Sequence, residues 1–313
     1  MTPVNTVNLS TVLSESRGIV KAYSSHFFAL SLFALPLSFS LVITPSLLLS
    51  GNFFTVDLLH KFLTDHPKAV IFHLLYILII CLLALCAIAT TSYSTYNVLI
   101  GKPVSYFAAV KSLTFSFLPL VSTAILAQTI LFLISLTILL FVGVIAMLGE
   151  TLGFIIDYNS LYIIVGAMFI VTIIFFQMSW CLASMVVVAE SKWGIPALMR
   201  SWYLVKGMRW VSLSLSSYFV IGYLLLVMVS SNGVNLGVLR SSTQCVVLFT
   251  MLGSVCLMMV LVASTAANGV LYMYCKAFHG ELALEIGERF DQQYVNLSYE
   301  DEKVHQVVTV VEA

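Results

Sequence analysis

Six long apolar stretches, none with Asp, Glu, Lys or Arg between its ends, constrain this chain more than any other feature. A helix that crosses the hydrocarbon core of a bilayer needs about 20 mainly apolar residues. Each of the six stretches reaches that length. We therefore predict six spanning helices, near residues 27–50, 70–93, 117–147, 160–189, 211–230 and 245–274.

The overall composition supports the same fold class. Of 313 residues, 60% are hydrophobic and only 9% are charged, whereas soluble domains carry about 25% charged residues. A buried soluble bundle would need charged outer helix faces, which these stretches lack. We predict an all-α, polytopic membrane bundle with a cytosolic N-terminus and amphipathic helix at 1–26, a six-span domain at 27–275 and a cytosolic tail at 276–313. The formal net charge is zero, so no basic field favours nucleic acid as a partner.

The distribution of Lys and Arg predicts the orientation of the bundle. Eleven of the 14 fall in the N-terminus, in the loops at 94–116 and 190–210, and in the C-terminal tail. The other side holds Lys61, Lys68 and Arg240. Because basic residues concentrate in cytoplasmic loops, we expect both termini in the cytosol. The compartment is predicted as the endomembrane system (ER or Golgi) or the plasma membrane.

The loop ESKWGIPALMRSWYLVKGMRW, residues 190–210, concentrates charge and tryptophan. Pro196 suits the first turn of a helix and Gly207 suits its end. Such a helix would lie in the headgroup region with its apolar face towards the bilayer. Helical spacing places these residues on that face: Ile195, Leu198, Met199, Trp202 and Val205.

Two other segments resemble this loop, which predicts an internal repeat. Aligning Ser16 with Ser201 matches residues 11–22 to the loop, and aligning Ser112 with Ser201 matches residues 106–115 less closely. Each segment precedes a predicted span. We predict three units of one interfacial helix and two spans, at 1–93, 94–189 and 190–275.

The run VVVAESKWGIPALMRSWYLVKGMRW, ending at Trp210, resembles the characteristic segment of the glycerophosphoryl diester phosphodiesterase membrane-domain family. The N-terminal LSESRGIVKAYSSHFF resembles that family's opening. The whole chain is similar to a group of plant six-span membrane proteins of unassigned function. The resemblance implies an all-helical membrane fold. Because spans and short loops fill the chain, we expect no phosphodiesterase activity to carry over.

Three groups of residues are candidates for function. In the loop, basic side chains can meet anionic headgroups and indoles favour the membrane interface. This predicts a lipid- or partner-binding set of Glu190, Arg200, Trp202, Lys206, Arg209 and Trp210. Amides within the spans either bond between helices or line a solute pathway, and these are Gln128, Gln177 and Asn268. The tail segment YVNL has the spacing of a vesicle-sorting motif, through Tyr294 and Leu297.

No catalytic, metal-binding or cofactor-binding pattern is recognisable in the sequence. We expect a non-enzymatic membrane organiser or adaptor, which needs no cofactor and contacts the bilayer and protein partners through its cytosolic interfacial helices. The alternative is a transporter or channel for a neutral or amphipathic solute. The small residues of ASTAANG, residues 263–269, predict close helix packing in the sixth span.

Overall fold

The computed structural model describes residues 7–50, 67–152, 158–239 and 243–281, which are helical apart from short turns and contain no strand. One 3₁₀ turn, Leu32–Ala34, lies between the second and third helices. The α-helices are Leu9–Ala22 (α1), Ser24–Ser31 (α2), Leu35–Ser50 (α3), Pro67–Leu99 (α4), Tyr106–Thr151 (α5), Tyr158–Trp180 (α6), Ala183–Glu190 (α7), Ile195–Val205 (α8), Arg209–Leu239 (α9) and Thr243–Phe278 (α10).

Six segments within these helices are long and apolar enough to cross a membrane, which confirms the predicted all-helical chain with six spanning lengths. The fold is therefore that of a multi-pass membrane protein. Each segment overlaps one predicted span. Their bounds are Ser24–Ile43, Leu74–Leu99, Tyr106–Gly149, Leu161–Glu190, Arg209–Asn235 and Gln244–Phe278.

The last helix, α10, lies at the centre of the bundle. It packs mainly against α9 and α3, and also against α1, α2 and α4. Ala266, Ala267 and Val270 are completely buried on it. A Cβ atom placed on Gly269 would lie 2.6 Å from the Cγ2 atom of Thr95. These short side chains let the backbones approach closely, as the small residues of this span predicted.

The first span is not one continuous α-helix. The 3₁₀ turn between α2 and α3 ends two residues before Pro36. Proline has no N–H, so it cannot donate to the carbonyl four residues earlier. The tighter turn therefore stands where regular α-helical bonding is interrupted.

The fourth span, predicted as a single helix, is broken at residues 181–182 between α6 and α7. Hydroxyls from two other helices bond to backbone carbonyls just before this break. Ser201 donates to the carbonyl of Ser179 at 2.8 Å, and Ser212 donates to that of Met178 at 3.0 Å. A break in apolar surroundings must have such partners, since water is not available there. The sequence pattern missed it because no proline or glycine marks the position.

The third span runs without interruption through α5, whose 46 residues correspond to about 69 Å at 1.5 Å per residue. This length exceeds the hydrocarbon core, as expected for the longest predicted span. Residues 106–115, predicted to form a separate interfacial helix, are instead the first turns of α5. That expectation is wrong for this segment, because no glycine or proline ends a helix between Tyr106 and Leu118.

The other two related segments do form separate short helices, α1 and α8. They bury equivalent positions of the alignment: Val12 corresponds to Ala197, and Ser16 corresponds to Ser201, with exposed fractions of 3% or less. The two helices thus present the same sides to the bundle. The three-fold repeat and the placement of both helices at the membrane interface stay predictions.

Substituting Gly269 by Ala should destabilise the bundle by about 1–3 kcal/mol, because the new methyl group would press against a fully buried Thr95 on α4. The matched control is Gly143→Ala on α5, where a Cβ atom meets nothing within 4 Å. The control should be neutral or slightly stabilising, since Ala favours helix. Thermal unfolding midpoints of the purified proteins in detergent compare the two, and equal midpoints would contradict the close packing of α4 and α10.

Candidate functional site

The helices α1, α7 and α8 and the C-terminal part of α10 meet at one end of the bundle. Their shared apolar core includes Val12, Met185, Leu204, Met208 and Leu271. The hydroxyl of Tyr274 on α10 donates to the Oε1 atom of Glu15 on α1. The N-terminal helix and the end of the last helix are therefore held together at this end, which we call the α1–α8 end.

A tight reversal brings the beginning of α8 back over the end of α7. Ser191 has φ of 53° and Gly194 has φ of 70°, both in the left-handed region, which is favourable for glycine. The amide of Gly194 donates to Thr123 Oγ1 on α5 at 2.9 Å. This turn places Arg200, in the middle of α8, beside Glu190, the last residue of α7.

A guanidinium and two carboxylates form the polar centre of this end. The Nε atom of Arg200 donates to Glu190 Oε2 at 3.0 Å and to Oε1 at 3.2 Å. Its Nη1 atom donates to Glu281 Oε1 at 2.9 Å, and its Nη2 atom bonds to Glu281 Oε2. Lys192 donates to Glu190 Oε2 at 2.9 Å, and the Tyr272 hydroxyl donates to Glu190 Oε1 at 3.0 Å. We call these five residues the Arg200 cluster.

Three members of the Arg200 cluster are largely shielded from solvent. The side chains of Glu190 and Arg200 are 11% and 18% exposed, and Tyr272 is completely buried. Hydrogen bonds to Glu281, and then to Glu190, raise the pKa of Arg200 above its ordinary value. Its charge is therefore permanent, and removing it would leave two carboxylates close together without their shared cation.

Two aromatic side chains extend the Arg200 cluster. The guanidinium carbon lies 5.7 Å from the centre of the Tyr203 ring, within the range of a cation–π contact. The Tyr203 ring stacks on the imidazole of His279 at 4.7 Å between centres. His279 Nε2 also lies 3.3 Å from the carbonyl of Leu204. Together these contacts hold α8 against the end of α10.

This arrangement suits a structural clamp better than an acid–base site. Both carboxylates accept charged hydrogen bonds, so neither stands ready to take a proton from a substrate. No serine or cysteine in the described part of the chain bonds to the cluster. Within the residues that the structure describes, no three His, Cys, Asp or Glu side chains group as metal ligands.

The predicted lipid- or partner-binding set separates into two parts. Glu190 and Arg200 belong to the Arg200 cluster, whereas Lys206, Arg209 and Trp210 are exposed. Trp210 has 81% of its surface exposed. Trp202 is partly exposed and packs edge-on against the ring of Phe175 on α6, with 5.3 Å between ring centres.

The face of α8 that packs on the bundle differs from the face expected by helical spacing. Leu198 and Val205 are buried as expected for apolar residues, but Ser201 and Leu204 are buried with them. Ser201 is accommodated because its hydroxyl bonds to the broken fourth span. The other apolar residues form an exposed stripe, which consists of Ile195, Met199 and Trp202.

The structure brings two of the three predicted intramembrane amides together. Gln128 on α5 and Gln177 on α6 line one cavity of about 340 Å³, which is bounded also by α4 and α7. Asn268 on α10 does not line it. Apolar side chains such as Leu131 and Phe176 form most of the wall.

The predicted sorting motif of Tyr294 and Leu297 lies outside the described residues. Conversely, sequence reasoning did not assign Glu281 or Tyr272 to any site. Glu281 and Tyr272 each lie more than 80 positions along the chain from the loop residue that they contact. A glutamate at the end of the last span was the only available signal, and it did not indicate which cation would face it.

The fold and this site define an all-helical multi-pass membrane protein without a recognisable catalytic centre in its described part. The chain belongs to the family described as Domain of unknown function (DUF8558), whose model matches residues 4–307. No curated protein and no solved structure is found to match it. The resemblance to the glycerophosphoryl diester phosphodiesterase membrane-domain family stays a prediction.

Replacing Arg200 by Gln should lower stability by about 2–4 kcal/mol, because two shielded carboxylates lose their common partner. Arg200→Lys should recover only part of this loss, since an ammonium group cannot bridge both carboxylates with a planar fork. The control is Lys192→Gln. The Lys192 side chain is 47% exposed, so this substitution should lower stability by less than about 1 kcal/mol. Thermal unfolding in detergent measures all three. An Arg200→Lys variant as stable as the wild type would show that the bridging geometry is unimportant.

Proposed function

We propose that this protein is a non-enzymatic integral membrane protein of the endomembrane system. It organises membrane or recruits partners through α1 and α8, which lie at the cytosolic membrane interface, with both termini in the cytosol. The observation that carries the proposal is that acidic and basic side chains at the α1–α8 end are in different environments. Carboxylates there are engaged inside the protein, while several basic side chains point outward.

The carboxylates at this end that the structure describes are Glu15, Glu190 and Glu281, and each accepts a hydrogen bond from within the protein. In contrast, Lys206 and Arg209 are exposed and form no ion pair with the described part of the chain. The surface around α8 therefore offers positive charge outward. Anionic headgroups of the cytosolic leaflet attract such charge at about 1 kcal/mol for each basic residue.

The exposed apolar stripe of α8 supports the same placement. Ile195, Met199 and Trp202 would cost free energy in water but suit the boundary between headgroups and acyl chains. Trp210, at the start of α9, adds an indole that prefers this boundary because it has an apolar body and one N–H donor. Charge and apolar surface thus occur on the same short segment.

The proposed orientation of the protein in the membrane follows from the distribution of basic residues in the sequence. Arg17, Lys21, Lys206 and Arg209 lie on elements that meet at the α1–α8 end. The opposite side is assigned Lys61, Lys68 and Arg240 from the sequence. This asymmetry favours a cytosolic α1–α8 end.

A variant with K206Q, R209Q and W210A should bind anionic lipid at least tenfold more weakly than the wild type, because two charges and one interfacial anchor are removed. The matched control, K68Q with R240Q, changes two basic residues assigned to the opposite side and should bind normally. Native mass spectrometry of the full chain, titrated with dioleoyl phosphatidylserine or dioleoyl phosphatidylcholine, measures both. A wild type that prefers neither lipid and retains no partner protein would overturn the proposed function.

The transporter alternative has one supporting observation, the cavity shared by Gln128 and Gln177. Its volume of about 340 Å³ would accept a small ligand, because ligand pockets span about 300–1,000 Å³. Its walls are mostly apolar, which disfavours a strongly hydrated solute. Asn268, the third amide of the proposed pathway, does not line this cavity.

We expect proteoliposomes with the wild-type protein to pass glycerol and urea no faster than protein-free vesicles, as measured by stopped-flow light scattering. A polar solute makes hydrogen bonds to water, and a cavity with apolar walls and two amides can replace too few of them. Flux that Gln128→Leu and Gln177→Leu abolish would instead establish the transporter alternative. The Asn268→Leu variant, changed outside this cavity, serves as the comparison.

A further inference from the structure

A second cavity opens between α1 and the last two helices. Its volume is about 650 Å³. It exists because α1 packs closely on α10 but makes few contacts with α9. The far side of α1 is fixed by the bond between Glu15 and Tyr274. We call this space the α1–α9 cleft.

The α1–α9 cleft has a basic wall on one side and apolar walls on the others. One wall carries Arg17 and Lys21, which lie one turn apart on the same face of α1. The remaining walls are apolar and include Phe219 and Leu225 from α9 and Ala263 from α10. A ligand that fills this space must therefore join an anionic group to an apolar chain.

None of the described residues that line the cleft is acidic. Neither α9 nor α10 contains Asp or Glu. The only carboxylate of α1, Glu15, bonds to Tyr274 and does not line this cleft. Arg17 and Lys21 form no ion pair with the described part of the chain. Within the described part of the chain, the double positive charge of the cleft is therefore uncompensated.

The rim of the cleft lies on a helix that is apolar enough to span a membrane. Its rim includes Tyr218, Ile221 and Leu225, which are about half exposed and belong to a membrane-spanning segment. A lipid can therefore enter sideways from the bilayer. A water-soluble ligand would have to displace acyl chains first.

We propose that the α1–α9 cleft binds one anionic glycerophospholipid, with its phosphate near Arg17 and Lys21 and an acyl chain along Phe219, Gly222 and Leu225. This site rests on the proposed placement of α1 at the cytosolic interface, and it is separate from the exposed surface of α8. Basic pockets between spanning helices suit anionic headgroups. A bound lipid would also fill the gap between α1 and α9 and so hold the N-terminal helix in place.

The headgroup decides the selectivity of this site. An acyl chain gains little by leaving the bilayer for the cleft, because lipid tails are as apolar as the lining side chains. Each basic contact is worth about a fivefold preference, so the pair predicts about a 30-fold preference for an anionic over a zwitterionic lipid. The apolar walls fix where the lipid lies.

Two variants separate the roles of charge and shape. R17Q with K21Q should lower the preference for dioleoyl phosphatidylserine over dioleoyl phosphatidylcholine in native mass spectrometry of the full chain, and the preference that remains should be that of the α8 surface. Gly222→Leu keeps both cations but fills the apolar part, so it should weaken the first bound molecule of either lipid. A Cβ atom at Gly222 meets nothing within 4 Å, so this variant should fold. Gly166→Leu on α6, equally unobstructed, is its control.

The outcomes distinguish this site from the surface of α8. If only the K206Q, R209Q and W210A variant lowers the preference for phosphatidylserine, the proposed function stands and the cleft site is wrong. Equal binding of both lipids to the wild type would also overturn the cleft site. Inorganic phosphate serves as a probe without an acyl chain. Competition by millimolar phosphate would mean a headgroup-only site and would contradict the role of the apolar walls.

Discussion

The structure depends on one requirement, that backbone groups freed inside an apolar bundle find other partners. The break between α6 and α7 places two carbonyls, those of Met178 and Ser179, next to hydroxyls of Ser212 and Ser201. Because an unsatisfied carbonyl costs free energy wherever water is excluded, these contacts couple α8 and α9 to the broken span. The break therefore supplies the carbonyl on which Ser201 of α8 is held.

The Arg200 cluster builds on that contact. Glu190 ends α7, Arg200 lies in the middle of α8 and Glu281 follows α10, so one guanidinium joins three elements. A shielded ion pair of this kind is costly to separate once formed. It uses the carboxylates that the structure describes at the α1–α8 end internally, so the outward charge of the described residues there is positive. The same contacts that order the fold therefore determine which charged side chains stay exposed at this end.

The basic residues at the α1–α8 end fall into two groups with different physical roles. Arg200 is fixed by its partners and acts within the protein, whereas Arg17, Lys21, Lys206 and Arg209 stay exposed. Sequence reasoning placed Arg200 and Arg209 in one binding set because both lie in the same loop. It could not separate them, since the separation depends on a carboxylate about 80 residues further along the chain. It also gave no indication of the α1–α9 cleft, which arises from how α1 rests on α10.

The sequence by itself determined the fold class, the number of spanning lengths, the helix that begins near Pro196 and ends before Gly207, and the close packing around Gly269. These features follow from local rules, because apolar length, proline and glycine act on their own segment. Only the tertiary structure decided that the fourth span breaks and that Ser201 faces inward. Those outcomes depend on contacts between distant segments, and a polar side chain becomes an inward one only when another helix supplies its partner.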